Sequence, residues 1–412
     1  MNQSYLENLP IEIKEQIFQY LSSSDILNLA LVSKNLNESV GNCRKCMEKY
    51  WIKFYTFNLK DLDSLENSCR HYVKLKINRV KTDDHFDYLI DLNQCWKKVL
   101  VYNCEFQYAE KYLKLIKAIA DHVEELEVAV IEVLCFENFE DVNIKFPALK
   151  RIMLRNMPSN TMEIFVKSCD NLEVATFDIA NEMKSFRPLR ELMKEFLRNS
   201  KKLKHLQLGP NYIRALFSEN EALNVDFQLT HLLLKLPIAN DLPDIAYDKI
   251  VEFLRTQSKI EWIITMELLN DDILHVIWNE LNSIKRASFI GLVELFELEM
   301  GFDLQPKMSI TKLDLISRKV LISQLGKLLR AAPCVDCLHV CILNRHMMGT
   351  IARESFSVKN LFYEHIEEDV IEFYHELIKS DANINKDIKL SQKSFWFENE
   401  NPFSLDPIFW RI

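Results

Sequence analysis

The chain has 412 residues, a formal net charge of −9 and 48% hydrophobic residues. That length holds two or three ordinary domains or one elongated repeat array, and the apolar content excludes wholesale disorder. The negative balance argues against nucleic acid as the main partner. Six glycines, none in a phosphate-cradling cluster, leave no P-loop or dinucleotide fingerprint.

The first ten residues, MNQSYLENLP, lack the basic start and apolar core of a signal peptide. No apolar stretch approaches the roughly 20 residues of a membrane helix. The expectation is a soluble intracellular protein, cytoplasmic or nuclear, with no membrane partner and with its 10 cysteines as reduced thiols.

Residues 5–40 carry the most specific pattern. Pro10 suits a first helical position, and Ile13, Ile17 and Leu21 then recur at four-residue steps with Phe18 beside them, an apolar stripe on a helix. Ser22-Ser23-Ser24 breaks the pattern, and Ser24 or Asp25 can cap a second helix. Ile26, Leu27, Leu29, Ala30 and Val32 give that helix more apolar surface than one stripe needs. A third helix starts from Ser33 or Lys34, with Leu36 and Val40 four apart. Three helices this short cannot bury so much apolar surface among themselves, so they either dock on the next domain or plug into another protein. The order Leu9-Pro10, Glu12-Ile13, Ile17-Phe18, Leu21, Asp25, Val32-Ser33-Lys34 resembles the F-box, with Leu36 where that family commonly has Trp or Phe. The resemblance implies binding to the Skp-type adaptor of a cullin–RING ubiquitin ligase, through Leu9, Pro10, Ile13, Ile17, Leu21, Ile26, Val32 and Leu36.

Residues 43–70 follow. Tyr50, Trp51, Phe54, Tyr55 and Phe57 are too many aromatics for a flexible linker, and a helix packed on the next element is expected. From about residue 70 one pattern returns: apolar, two residues, apolar, one residue, apolar. Its central positions are 75, 99, 126, 152, 175, 206, 232, 263, 287, 313, 338, 361 and 388, a mean period of about 26 residues. Two intervals of 31, before 206 and before 263, predict longer loops. Helical patterns alternate with these strands, as in Leu189, Leu192, Phe196 and Leu197, or Leu325, Leu328 and Leu329. Strand then helix, each apolar on one side, is the signature of a stacked solenoid. The stretch resembles the cysteine-containing leucine-rich repeats found behind F-boxes, with Phe146-Pro147-x-Leu149, Cys169-x-x-Leu172 and Ala332-Pro333-x-Val335 opening repeats. Cys104 and Asn211 stand five residues after a strand centre, where that family often has Cys or Asn.

The expected fold is therefore α/β: a three-helix F-box over 1–42, an aromatic helical connector over 43–70 and a leucine-rich-repeat solenoid of about 13 repeats over 71–393. Its parallel strands would line the concave face, with helices outside. Residues 394–412 hold Phe395, Trp396, Phe397, Phe403, Phe409 and Trp410. They would cap the last repeat or fold back along the concave face.

No constellation favours an enzyme. Cys43-x-x-Cys46 and Cys334-x-x-Cys337, with His339 and Cys341, are far apart in the chain, whereas zinc needs four converging ligands. No catalytic residue, metal site or cofactor is expected. Strand alternation puts Lys74, Lys76, Lys98, Arg151 and Arg155 on the concave face, then His205, His231, Lys235, Trp262, Ile264, Met266, Arg286, Ile290 and Ile316. Exposed Trp, Ile and Met beside Arg and Lys have the composition of a protein-binding hot spot, so the target is expected at His231, Lys235, Trp262, Ile264, Met266, Arg286 and Ile290. The expected function is a substrate-recognition subunit of an SCF-type ubiquitin ligase. It would bind the adaptor, a cullin through it, and an unidentified target. The alternative is a non-catalytic scaffold that does not direct ubiquitination.

Overall fold

The structure is a computed structural model. It describes residues 5–393 except 56–62, 64, 67, 69, 82–89, 91–94, 136–143, 158, 167–169, 179–186, 219–222, 237–245, 267–270, 292–302, 318, 319, 321 and 382. The expected C-terminal cap, Phe57 and Cys169 lie outside the described residues. The chain forms two compact units that divide between Leu172 and Glu173.

The first unit opens with α1 (Ile11–Tyr20), α2 (Ser23–Val32), α3 (Lys34–Asn42) and a single turn, α4 (Arg44–Met47). Pro10 is the residue before α1 rather than its first helical residue, and its extended ψ of 149° lets its carbonyl receive the N–H groups of Ile13 and Lys14. The cap of α2 is Ser22, not Ser24 or Asp25. Its Oγ accepts from Asp25 N at 3.2 Å, while the Asp25 carboxylate accepts from Ser22 N at 3.3 Å. This reciprocal pair is a capping box. Ser33 caps α3 through Leu36 N. The Lys49 ammonium donates to the carbonyls of Phe18, Gln19 and Leu21, supplying a cation where the C-terminal end of α1 carries partial negative charge. Phe18, Ile26, Ala30, Val40, Cys43, Cys46 and Met47 form the core of this bundle, with Ile17, Leu21, Leu29, Tyr50 and Tyr72 packed on it.

The connector departs from expectation. After α4 it forms β1 (Ile52–Phe54), which pairs in parallel with β2 (Lys74–Asn78). Aromatic and β-branched residues in alternation favour a strand once a partner is available, and Ile52 pairs with the predicted centre Leu75. β3 (Lys98–Tyr108), β4 (Glu125–Cys135) and β5 (Arg151–Arg155) follow in order, all parallel. α5 (Ala109–Ala120) packs Tyr112, Leu115, Ile116 and Ile119 inward. Arg79, Asn103 and Asn156 adopt positive φ, each four residues after a strand centre: Arg79 and Asn156 directly follow β2 and β5, whereas Asn103 lies within β3. Cys104, the next residue of β3, is buried and donates to the Tyr102 carbonyl at 3.1 Å.

The second unit repeats the scheme. Its strands are β6 (Val174–Asp178), β7 (His205–Leu208), β8 (His231–Lys235), β9 (Trp262–Met266), β10 (Arg286–Gly291), β11 (Lys312–Ser317), β12 (Cys337–Leu343), β13 (Asn360–Ile366) and β14 (Lys389–Gln392). They pair in parallel and in chain order. Between them run α6 (Ser159–Val166) in the first unit and, in the second, α7 (Arg187–Asn199), α8 (Pro210–Phe217), α9 (Tyr247–Thr256), α10 (Asp271–His275) with a π turn over Val276–Glu280, α11 (Ile322–Ala331), α12 (Arg345–Glu354) and α13 (Val370–Ser380). Centre pairs with centre along each unit: Leu75 with Val99, Leu206 with Leu232, Ile263 with Ala287, Leu338 with Leu361. The last centre is corrected from Ile388 to Leu390, which pairs with Leu361. A second regularity sits just before the strands. The carbonyl of Glu261 receives both Lys285 N and Arg286 N, that of Lys285 receives Thr311 N and Lys312 N, and that of Thr311 receives Asp336 N and Cys337 N. Each repeat thus satisfies two donors of the next with one acceptor.

Candidate functional site

Two surfaces take up the residues singled out above. On the helical bundle, alternation along α1 and α2 sorts the expected adaptor contacts into three groups. Pro10, Ile13 and Val32 are exposed, Val32 by 68%. Leu9, Ile17 and Leu21 are half-buried, and the last two pack on the bundle core. Ile26 and Leu36 are corrected: both are buried, Ile26 in the contact layer between the helices, and neither can meet a partner without opening the bundle. Other apolar side chains of the bundle are exposed instead. Leu27 and Leu31 lie four apart on the outer side of α2, Leu31 at 83% exposure, and Ile11 and Tyr20 stand out from α1. The excess of apolar residues in α2 was the available signal: Ile26 and Ala30 fill the inner stripe, so Leu27 and Leu31 must face outward.

On the sheet of the second unit, residues fall into cross-strand rows. Leu232, Ile263, Ala287 and Leu313 face the helices. His231, Trp262, Arg286 and Lys312 form one row on the opposite face, Leu233, Ile264, Ser288, Asp314 and His339 the next, and Lys235, Met266, Ile290 and Ile316 a third. The strand phase is therefore as expected, but the exposure is not. Trp262 is 8% exposed and Arg286 7%, and Ile264 and Ile290 are buried as well. Leu233, Trp262, Ile264, Ile290 and Ile316 pack as one cluster with Met266 and Cys341 at its margin. Period-two alternation tells which face a side chain takes, not how deeply neighbours cover it.

Polar groups lock this cluster. The Arg286 guanidinium lies 4.2 Å from the Trp262 ring centroid and donates to both Asp314 carboxylate oxygens, Nε at 2.8 Å and Nη2 at 3.3 Å. Trp262 Nε1 donates to Ser288 Oγ at 3.0 Å, and Ser288 donates in turn to Asp314 at 2.5 Å. Lys235, expected at the target surface, is tied to Asp178 at 2.7 Å, an ion pair reaching across β7. His231 packs edge-on to Trp262 and against His205, and burial holds its imidazole pKa below the ordinary value, partly offset by Glu261. Beside this row, at the start of β8–β11, lies a cleft of about 370 Å³ lined by His231, Glu261, Trp262, Lys285, Arg286 and Lys312.

Ser288, Asp314 and His339 bring together the residue types of a hydrolytic triad, but not its order. The serine proton goes to the carboxylate, His339 Nδ1 lies 3.9 Å from Asp314, and His339 Nε2 is 3.0 Å from the Lys393 carbonyl. The imidazole does not touch the hydroxyl it would have to activate. Cys43 and Cys46 are both buried, and burial followed by the hydrogen bond with Cys43 pushes the Cys46 thiol up to about 12, so it stays protonated. Among the described residues no three His, Cys, Asp or Glu side chains converge as a metal cage, and no helix is long and apolar enough to cross a membrane.

Compared with known proteins, the chain matches no curated protein. Residues 6–47 match the F-box domain, a span that covers α1 to α4 and ends at Met47 of the bundle core.

Proposed function

We propose that this chain is the substrate-recognition subunit of an SCF-type ubiquitin ligase. The F-box domain supports an adaptor-binding role, since F-box domains generally bind Skp-type adaptors. The observation that carries the reading is the coincidence of that match with the exposed apolar side chains Ile11, Ile13, Tyr20, Leu27, Leu31 and Val32. The adaptor covers exposed side chains of this set, Leu27 and Leu31 among them, and a cullin joins through the adaptor. The repeated strand–helix units form a leucine-rich-repeat solenoid that holds the target; in-register centres and the carbonyl ladder support this. The chain contributes no catalytic residue. Ubiquitin transfer belongs to its partners.

Affinity purification of the full chain and of a form lacking residues 1–47 tests the proposal. The full chain is expected to bring down adaptor and cullin together, and the shortened form neither. Retention of the adaptor by the shortened form contradicts the assignment. Recovery of the adaptor without cullin favours a scaffold outside the ligase.

A further inference from the structure

The outward face of β1–β3 in the first unit carries an unusual charge arrangement. Lys53 of β1 lies directly opposite Lys76 of β2, and Lys74 of β2 lies directly opposite Lys98 of β3. Like charges opposite one another across a sheet destabilise it, and here two such pairs are adjacent. Leu75 and Ile77 occupy the helix-facing side of the same strand and are fully buried, which fixes the lysines on the other face. Aromatic rings hold the ammonium groups in place. Lys74 and Lys98 both sit over the Trp51 ring, at 5.6 and 5.7 Å, and Lys76 sits 5.3 Å from the Tyr102 ring. Lys98 pairs with Glu125 at 2.7 Å. Among the described residues no carboxylate lies at ion-pair distance from Lys53 or Lys74, and Lys53 is exposed. Burial and then the neighbouring Lys98 charge lower the pKa of Lys74, partly offset by Glu125 and Glu48. All this occurs in a chain whose net charge is −9.

We propose that this face docks an extended acidic segment of a protein, with Glu or Asp at alternate positions meeting Lys53, Lys74 and Lys76. Lys74 and Lys76 are two residues apart on one strand, about 6.6 Å, and acidic side chains at every second residue of an extended segment repeat at the same distance. The ammonium groups spread over two rows instead of converging on one point, as a single phosphoryl group would require. The face spans three strands, roughly 10 Å, too narrow for the run of phosphates that gives nucleic-acid binding its affinity. The receptor reading enters only in calling the segment part of a target.

The test is fluorescence anisotropy of the full chain with a labelled (Glu-Thr)6 peptide and its (Gln-Thr)6 counterpart at 100 mM salt. Binding of the glutamate peptide alone is expected, weakening as salt rises. Lys53→Glu with Lys74→Glu should weaken it at least tenfold. The same double substitution replaces both repulsive pairs by attractive ones, so its melting temperature should not fall. If that variant does not fold, Lys53→Gln alone should still weaken binding severalfold. The proposal fails if the glutamate peptide does not bind or if the glutamine peptide binds equally well. It also fails if the substitutions leave binding unchanged, or if a phosphoserine peptide or oligouridine binds more tightly. Adaptor retention, measured on the same variants, is expected to be unchanged, and its loss in the wild type would count against the receptor reading alone.

Discussion

Asp314→Ala is expected to be among the most damaging single substitutions in the second unit. Asp314 and Arg286 are both nearly inaccessible, and the carboxylate is the acceptor for Arg286 Nε, Arg286 Nη2 and Ser288 Oγ. Removing it leaves a guanidinium inside the cluster without its counter-charge, and breaking a buried pair from one side costs about 3–5 kcal/mol. The hydroxyl of Ser288 loses its acceptor as well. For a unit of this size that range corresponds to a fall of roughly 6–20 °C in melting temperature. Denaturant titration followed by tryptophan fluorescence and calorimetry are the assays. Replacing both partners, Asp314→Leu with Arg286→Met, should cost much less than the single change, because no buried charge is then left alone. A loss under about 1 kcal/mol for Asp314→Ala, or a double variant as damaged as the sum of the singles, would refute the reasoning.

Three further outcomes are expected. Leu31→Asp should weaken adaptor binding at least tenfold without lowering the melting temperature, whereas Ile26→Asp should unfold the helical bundle; affinity and melting measurements on both variants separate surface from core. Burial lowers the pKa of Lys307 to about 8, while its ammonium donates to the Ile277 and Trp278 carbonyls. The unfolded chain therefore holds this proton more tightly than the folded one. Lys307 costs stability below pH 8, and the cost is relieved as pH rises toward 10.5, by at most about 3 kcal/mol. Wild type should gain stability over Lys307→Met across that window, and parallel stability curves from pH 7.5 to 10 would contradict it. Cys43 and Cys46 should resist iodoacetamide in the native state at pH 8 while exposed Cys95 reacts, as read by peptide mapping.

The strand order was legible because its signal is periodic and redundant. Leucine-like triplets about 26 residues apart pair centre to centre from Leu75 to Leu361 within each unit, and one degenerate copy could be misplaced, as Ile388 was for Leu390, without changing the face assignment. β1 was not legible, since three residues leave no period and only the neighbouring β2 makes Ile52–Phe54 a strand. The capping serine shifted from Ser24 to Ser22 because any of three adjacent serines satisfies the pattern, and Asp25 selects the one three residues before it. The largest difference concerns Trp262, Arg286 and Ile290. Alternation correctly placed them opposite the helices, but a tryptophan under a guanidinium that is itself held by Asp314 is a packing arrangement between strands 24 to 28 residues apart, which no local spacing encodes. Ile26 and Leu36 were set outward for a related reason: family spacing marks positions, and only the packed bundle tells an inner apolar residue from an outer one.

The most direct test of the account is the affinity of the full chain for a purified Skp-type adaptor, measured by calorimetry for wild type and for Leu27→Asp with Leu31→Asp. The account predicts tight one-to-one binding by wild type, loss of at least two orders of magnitude in the variant, and an unchanged melting temperature. Equal binding by the two proteins, or no binding by either, would contradict it.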